Sequence, residues 1–244
     1  MTSELDRYQF LNTIGKGGQG AVYHCRDKID GRDCCLKHVV LSVSRELKDH
    51  MLELDILGIF REHPYVITMD RYFVIESNLY IVMEYSPYGD LLHVLSKLKN
   101  NGKSLSLKNV LRWLVQISLA LHTFHNTGYV HRDIKPRNIL LMEGNIVKLA
   151  DFGASIPMSS KSDRLDFVGT HRYMSPEMFR GEKHNFATDI WSLGVVLLEM
   201  ISQRHVFDGS NNEDIKENVV QGRFMSTDEL QKTFNGTYTQ EYSD

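Results

Sequence analysis

Cysteine, long apolar runs and excess basic charge are all scarce in this 244-residue chain. The longest apolar stretch, at residues 190–200, is too short and interrupted to span a bilayer. No basic region followed by an apolar core opens the sequence, so no secretory signal is predicted. The three cysteines, Cys25, Cys34 and Cys35, lack metal-ligand spacing and predict a reducing compartment. A net charge of −3 gives no support for binding to nucleic acid or to a membrane surface.

A β-rich first third is followed by a mostly helical remainder. The residue pattern predicts strands at residues 8–14, 21–26, 32–40, 69–75 and 79–84, with one helix at residues 44–60. After a break at residues 87–89, it predicts helices at residues 107–128 and 188–202 and a hairpin at residues 139–149. The predicted fold class is α+β: a small antiparallel β lobe with one helix (residues 8–85), a larger mostly helical lobe (residues 86–224), and a cleft between them. A polar tail follows at residues 225–244.

The strongest chemical signal is the run HRDIKPRN at residues 131–138, with DFG thirteen residues further on at residues 151–153. Phosphoryl transfer requires an oriented hydroxyl, neutralised phosphate charge and fixed metal ions rather than covalent help from the protein. Asp133 is predicted to orient the acceptor hydroxyl, and Lys135 to contact the transferred phosphate. Asn138 and Asp151 are predicted to bind Mg²⁺. Either motif alone arises by chance, but both in this order and spacing form a strong signal.

A glycine-rich segment near the start fits the pattern G-x-G-x-x-G-x-V, with Gly15, Gly17, Gly20 and Val22 at its fixed positions. Taken alone, it is equally well explained as a flexible surface turn. Because it leads into a strand rather than a helix, it favours a strand–turn–strand flap over phosphates and not a dinucleotide-binding turn.

Lys37 lies fifteen residues after Val22 in an apolar strand. It is either a solvated edge lysine or a cation for the α- and β-phosphates, fixed by a carboxylate of the next helix. Such a lysine would be poorly placed and partly desolvated without a partner. Glu53 is the predicted partner, and Glu46 is the competing choice.

These motifs resemble those of eukaryotic protein kinases over about residues 8–223. The resemblance extends to SPE at residues 175–177 and DIWSLG at residues 189–194, and Lys135 and Thr170 resemble the serine/threonine type. Within that family the chain is most similar to the NIMA-related kinases, on the runs at residues 79–85, 113–121, 205–209 and 220–224.

The resemblance implies a protein kinase that uses ATP and Mg²⁺ and acts on protein substrates with Ser or Thr acceptors. It implies catalytic roles for Lys37, Glu53, Asp133, Lys135 and Thr170. Adenine would be bound through backbone groups of Glu84 and Ser86, and the ribose would face Asp90. The implied nucleotide-binding set is Ile14, Gly15, Gly17, Gly20, Val22, Cys35, Lys37, Met83, Glu84, Ser86, Asp90 and Leu140. Neither binding to nucleic acid nor insertion into a membrane is expected. The expected location is the cytoplasm. Location in the nucleus, or association with the cytoskeleton or centrosome, is implied only by the family resemblance.

The chain departs from the family pattern at three places. Gly18 and Gln19 alter the tip of the glycine loop. Asp166 stands where many such kinases carry an activating phosphothreonine; it is either an ordinary loop acid or, as we hypothesise, it pairs with Arg132 and gives partial activity without phosphorylation. The family also has further helices after the position of Phe224, including an arginine that pairs with the glutamate at position 177, and no arginine follows Arg223.

Three functions are therefore weighed. The first is an active serine/threonine kinase, because every catalytic position is filled. The second is an ATP-binding regulator or decoy with weak catalysis, because the second lobe is short. The third, a small-molecule kinase, is disfavoured by the peptide-docking segment at residues 169–177.

Overall fold

The computed structural model describes residues 3–17, 20–41, 44–159 and 169–226, with residues 228, 231 and 234; residues 44–49 are described by their backbone alone. The chain forms two compact units, Met1–Pro87 and Tyr88–Asp244. None of the helices in the described ranges has the length and apolar character needed to cross a membrane.

The first unit is an antiparallel five-stranded sheet with one α-helix. Its strands, in the order β1-β2-β3-β5-β4, are β1 Tyr8–Gly17, β2 Gly20–Asp27, β3 Asp33–Val40, β4 Met69–Ile75 and β5 Asn78–Glu84. The helix α1 spans Ser44–Ile59 between β3 and β4. All five predicted strands and the predicted helix are confirmed, with shifts of a few residues at their ends.

One face of this sheet carries a small core of its own. Tyr8 stacks on Phe73 at 6.2 Å between ring centroids, and Leu36 is fully buried beside them. Burial raises the pKa of Cys25 to about 12 and that of Cys34 to about 11, so both thiols stay protonated and behave as small apolar groups. The core therefore stabilises the sheet from the side opposite to Lys37.

The second unit is mostly helical. Its helices are α2 Leu91–Asn100, α3 Leu107–Asn126, α4 Pro176–Phe179, α5 Phe186–Ser202 and α6 Asn212–Val220. Two short strand pairs complete it: β6 Tyr129–Val130 with β9 Ile156–Pro157, and β7 Ile139–Met142 with β8 Ile146–Leu149. The predicted hairpin and the predicted helices α3 and α5 are present, and the α+β class is confirmed.

Helix α5 is strongly apolar and contributes one face to the core of this unit. Leu193, Val196 and Met200 are buried, while Ile190 is 55% exposed. Its start is fixed by a capping box, in which the Asn185 side chain and the Thr188 side chain satisfy each other's backbone N–H groups. This cap places the next residue, Asp189, in the buried first turn of the helix.

Candidate active site

The catalytic loop holds the Asp133 carboxylate with two neighbouring side chains. Lys135 Nζ donates to Asp133 Oδ2 at 2.6 Å, and Asn138 Nδ2 donates to the same oxygen at 3.0 Å. Asn138 Nδ2 also bonds the Asp133 backbone oxygen at 2.8 Å. The carboxylate is therefore oriented by a cation and an amide, both within five residues in sequence.

A second carboxylate fixes the backbone of the same loop from below. Asp189 is fully buried, and its two oxygens accept from the backbone N–H groups of His131 at 2.9 Å and Arg132 at 2.8 Å. His125 Nε2 lies 2.7 Å from Asp189 Oδ2. These bonds hold Arg132 at a φ of 67°, a left-handed conformation that is costly for a residue other than glycine. The position of Asp189 in the first turn of α5 also favours its negative charge, because that end of a helix carries partial positive charge.

An aromatic cluster packs beneath the loop. The rings of His131 and Phe152 lie 5.1 Å apart, and Phe124 contacts both, at 6.0 Å and 5.4 Å between centroids. Burial lowers the pKa of His131, against the opposing charges of Asp189 and Asp133, so the ring stays neutral. Ala150 donates its N–H to Asn138 O at 2.9 Å, which ties the strand before Asp151 to the catalytic loop.

Gly169 lies against the catalytic loop, next to Arg132 and Asp133. A Cβ added to Gly169 would lie 3.3 Å from Asp133 Oδ1 and 3.2 Å from Arg132 O, and its φ is 113°, so glycine is the residue that fits. Thr170 follows it as an exposed residue at the start of a 3₁₀ turn, His171–Tyr173. No described hydrogen bond joins the Thr170 side chain to Asp133, so its predicted catalytic role rests on position alone.

Lys37 and Glu53 form an ion pair in the first unit. Lys37 Nζ lies 2.6 Å from Glu53 Oε1, and the side chains are 20% and 3% exposed. The predicted partner Glu53 is thus in contact with Lys37, and the side chain of the competing Glu46 lies outside the described residues. The pair orients the ammonium from a helix that is anchored by the buried Leu54 and Leu57.

The strand register brings together four of the residues predicted to bind the nucleotide. Val22 pairs with Lys37 across β2 and β3, and Cys35 pairs with Met83 across β3 and β5, so all four face the same side of the sheet. Burial raises the pKa of Cys35 to about 12, which makes this thiol a neutral apolar lining group. Gly20 begins β2 where a Cβ would lie 1.9 Å from His38 O, so only glycine fits there. Gly15 and Gly17 lie on β1, while Gly18 and Gln19 fall outside the described residues.

The side chains of Glu84 and Asp90 accept hydrogen bonds from backbone N–H groups, and these bonds were not predicted from the sequence. The Glu84 carboxylate accepts a hydrogen bond from the backbone N–H of Thr68 at 2.7 Å, and the backbone N–H of Glu84 donates to Thr68 O at 3.0 Å. Asp90 Oδ1 accepts from His93 N at 2.7 Å and caps helix α2. Asp90 also forms a β-bridge with Leu140, which is half-buried. Of the other predicted contacts, Ser86 follows β5 and Ile14 is 52% exposed on β1.

The Lys37–Glu53 pair gives a stability prediction. Lys37→Met is expected to reduce the free energy of unfolding by about 1–3 kcal/mol, because the buried Glu53 carboxylate loses its cation. Urea denaturation checks this. The double variant Lys37→Met/Glu53→Met should recover most of the loss, because no buried charge is left unpaired. Equal losses in the single and double variants would show that the ion pair is not the cause.

Glu177 has a hydrogen-bond partner other than the arginine of the family pattern, which this sequence lacks after Arg223. Its Oε1 accepts from Thr188 Oγ1 at 3.0 Å, and the residue is half-buried, so no fully buried unpaired charge results. We expect Glu177→Gln to change the free energy of unfolding by less than about 1 kcal/mol, since the amide oxygen can still accept from Thr188. A loss of about 3 kcal/mol or more in urea denaturation would instead indicate that Glu177 acts as one half of a buried ion pair.

The donor set of the second unit fits Mg²⁺ that is carried by phosphates. Asn138 uses its amide nitrogen on Asp133, which leaves its amide oxygen as the group to face a cation. Asp151 is an exposed carboxylate at a φ of 63°. Mg²⁺ in phosphate sites takes one or two protein oxygens and completes its shell with phosphate and water. It needs no cluster of three or more His, Cys, Asp or Glu, and none occurs among the described residues.

Comparison with known proteins identifies the class. The family model for the protein kinase domain matches residues 8–244, so the chain belongs to the protein kinase family. The resemblance stated from the motifs of the sequence is thereby confirmed. The first unit carries the glycine-rich segment and the Lys37–Glu53 pair. The second unit carries the Asp133 loop and Asp151.

Within that family the chain is similar to NIMA-related serine/threonine kinases. It is 35% identical over 221 residues to the serine/threonine-protein kinase Nek5 of Mus musculus, which covers 90% of this chain and 34% of that protein. It is 34% identical to the probable serine/threonine-protein kinase nek2 of Dictyostelium discoideum, over 90% of this chain and 54% of that protein. Nek2 of Mus musculus is 35% identical, over 92% of this chain and 53% of that protein. The chain thus spans between a third and about half of the length of these relatives.

Proposed function

We propose that this chain is a Mg²⁺- and ATP-dependent protein kinase that transfers the γ-phosphate to Ser or Thr hydroxyls of proteins. The observation that carries the proposal is the fixed Asp133 carboxylate, bonded to Lys135 at 2.6 Å and Asn138 at 3.0 Å in a loop anchored by Asp189. Protein kinases position the acceptor with such an aspartate and need little other chemistry from the protein.

Each side chain has a distinct part in this reaction. Asp133 accepts the proton of the acceptor hydroxyl and orients its oxygen. Lys135, already in contact with Asp133, offers a positive charge to the phosphate being transferred. Asn138 and Asp151 would hold Mg²⁺, which would neutralise phosphate charge, while bound ATP would supply the phosphoryl group.

The first unit would bind the rest of the nucleotide. Lys37, oriented by Glu53, offers a cation for the α- and β-phosphates. The apolar side chains of Val22, Cys35 and Met83 lie on the same face of the sheet as Lys37 and suit a flat aromatic base. With three free cysteines, a reducing cytoplasmic location is part of the proposal.

Activation without phosphorylation stays a separate prediction. Asp166, its proposed agent, lies outside the described residues. Its intended partner Arg132 is buried and donates from Nε to Ala154 O at 2.6 Å.

The experiment measures transfer of labelled γ-phosphate from Mg²⁺-ATP to a generic serine- and threonine-containing protein. The proposal predicts ATP-dependent labelling of Ser or Thr, lost when Mg²⁺ is chelated. The regulator alternative predicts that Mg²⁺-ATP raises the melting temperature without any transfer. That outcome would overturn the proposed activity while keeping nucleotide binding.

A further inference from the structure

A surface cavity of the second unit lies where the end of α2 meets the segments that follow α5 and α6. Its volume is about 530 Å³, within the range of about 300–1,000 Å³ that is typical of ligand sites. Cationic, amide and apolar groups line it side by side, and the residues assigned above to phosphoryl transfer are not among them. The cavity is therefore a separate candidate site.

The walls of this cavity are fixed by hydrogen bonds between the three segments. Met225 N donates to Val206 O at 3.1 Å, which joins the segment after α6 to the segment after α5. Gln203 Nε2 donates to Lys103 O at 2.8 Å, which ties the end of α5 to the segment after α2. A site whose walls are already in place loses less conformational entropy when a ligand binds.

Two exposed cations project from these walls. Lys99 lies in the last turn of α2, and Arg204 lies just after α5. The Ser202 hydroxyl accepts from Arg204 N at 3.2 Å and donates to Arg204 O at 3.1 Å, which fixes the backbone that carries the guanidinium. An arginine bonds a carboxylate through two parallel N–H groups, and a lysine adds a point charge. Together they favour an anionic group in the ligand.

The other titratable groups of the lining contact partner groups of the chain: Arg223 with Glu217, Asp208 with Arg172, and His205 with Glu199. Among the lining residues, three carry a positive charge and one carries a negative charge. This lining favours an anion whatever the protonation state of the histidine.

One side of the cavity is apolar. Phe224 is 49% exposed and contacts the buried Phe207 at 6.4 Å between ring centroids. Phe207 in turn stacks on Trp191 at 5.8 Å. This row of rings holds Phe224 in place while about half of its surface stays open to solvent. A ligand with an apolar side chain would remove that surface from water, which is favourable.

The amide of Asn218 favours a peptide over a small anion. Its Nδ2 donates to Asp208 O at 2.7 Å, which leaves the amide oxygen to accept. A peptide backbone offers N–H donors to such an oxygen, whereas a carboxylate offers acceptors alone. As a sphere, the cavity would be about 10 Å across, which corresponds to about three residues of extended chain.

We propose that this cavity binds a short acidic peptide segment of a partner protein. An Asp or Glu side chain of the segment contacts Lys99 and Arg204, and an aromatic or large aliphatic side chain beside it packs on Phe224. The inference goes beyond the proposed kinase activity, because this binding uses none of the groups assigned to phosphate transfer.

The test titrates the native chain into rhodamine-labelled peptides without ATP and follows fluorescence anisotropy. Each short peptide of Gly and Gln contains one Phe and one Asp, adjacent or one residue apart, in either order. Matched peptides carry Asn or Lys in place of Asp, or Gly in place of Phe. At least one Asp peptide should bind about three- to tenfold more tightly than its Asn counterpart, and this ratio should fall as salt is raised. Gly in place of Phe should weaken binding about tenfold.

Variants assign the preference to the two cations. Lys99→Gln/Arg204→Gln should bring the ratio of Kd for Asn and Asp peptides close to one, and Lys99→Glu/Arg204→Glu should favour the Lys peptides. The matched control, Lys108→Gln/Arg112→Gln, removes the same charge from exposed positions of α3 and should keep the native ratio. A ratio that survives in Lys99→Gln/Arg204→Gln, or that falls equally in the control, would overturn the inference.

Two other results would also overturn it. One is equal binding of the Asp and Asn peptides at every spacing, or no binding at all. The other is binding of Asp peptides that appears only after Asp228, Glu229, Glu241 and Asp244 are replaced by their amides, because the chain's own acids would then be the occupant. Phosphate transfer has no part in these measurements, so a failure of the proposed kinase activity would leave their outcome unchanged.

Discussion

Replacing Asp133 by Asn is expected to lower the rate of phosphate transfer by about 10²- to 10⁴-fold, the usual contribution of a positioned general base. The amide has the shape of the carboxylate, and its oxygen can still accept from Lys135 or Asn138, so the loop should keep its geometry. What is lost is the negative charge and the ability to take the hydroxyl proton. The measurement is the initial rate of transfer at saturating Mg²⁺-ATP, with circular dichroism to confirm the fold.

The matched control is Glu143→Gln, which neutralises an exposed carboxylate of the same unit and should leave the rate unchanged. The native chain and both variants should also be stabilised equally by Mg²⁺-ATP, because Asp133 is not assigned to nucleotide binding. An Asp133→Asn chain within about threefold of the native rate would contradict the assigned role, since a general base contributes far more.

Asp189→Asn is expected to cost about 3–5 kcal/mol in the free energy of unfolding, a large share of a typical total of about 5–15 kcal/mol. The two carboxylate oxygens accept from two backbone N–H groups, and His125 Nε2 lies at 2.7 Å. An amide has one acceptor, so its NH₂ group would face a backbone donor in a fully buried place. The left-handed Arg132 would then lose the bond that holds it.

Urea denaturation, followed by the fluorescence of Trp113 and Trp191 in the second unit, measures this loss of stability. Glu182→Gln serves as the control, because it changes an exposed carboxylate of the same unit by the same chemistry. We expect less than about 0.5 kcal/mol for that control. A similarly small effect for Asp189→Asn would show that the catalytic loop is held by other contacts.

The predictions for Asp133 and Asp189 concern the same loop. The first concerns the side chain that orients the acceptor hydroxyl, and the second concerns the carboxylate that holds the loop backbone. Asp133 and its neighbours lie within a few residues, and their mutual geometry follows from the local backbone. For that reason the sequence predicted Asp133, Lys135 and Asn138 together. In the structure, Lys135 and Asn138 both form hydrogen bonds to the Asp133 carboxylate.

Long-range contacts were predicted less completely. Glu53 was correctly chosen for Lys37 because a helix with a clear apolar stripe follows the strand. The bond from Thr188 to Glu177 was not predicted, since it depends on where helix α5 begins relative to α4. The spacing of residues in the sequence does not give the distance between Glu177 on α4 and Thr188 on α5.

Three helices of the second unit, α2, the four-residue α4 and α6, were not predicted from the sequence, and the reason can be identified for α2 and α6. Helix α2 begins after Asp90, a side chain that the family resemblance assigned to a ribose, although an Asp before a run of helix-forming residues is an N-cap signal. Helix α6 buries only Ile215 and Val219, so its apolar period is weak. Its capping residue Asn211, which accepts from Glu213 N and Asp214 N, was the available signal.

The most direct test of the central claim is transfer of a heavy-oxygen-labelled γ-phosphate from Mg²⁺-ATP to a Ser/Thr peptide, followed by mass spectrometry. The native chain and Asp133→Asn are purified side by side, so that any contaminating kinase labels both equally. The account predicts labelled phosphoserine or phosphothreonine with the native chain and almost none with the variant. Absence of labelled product with a folded, nucleotide-binding native chain, or equal labelling by both proteins, would contradict it.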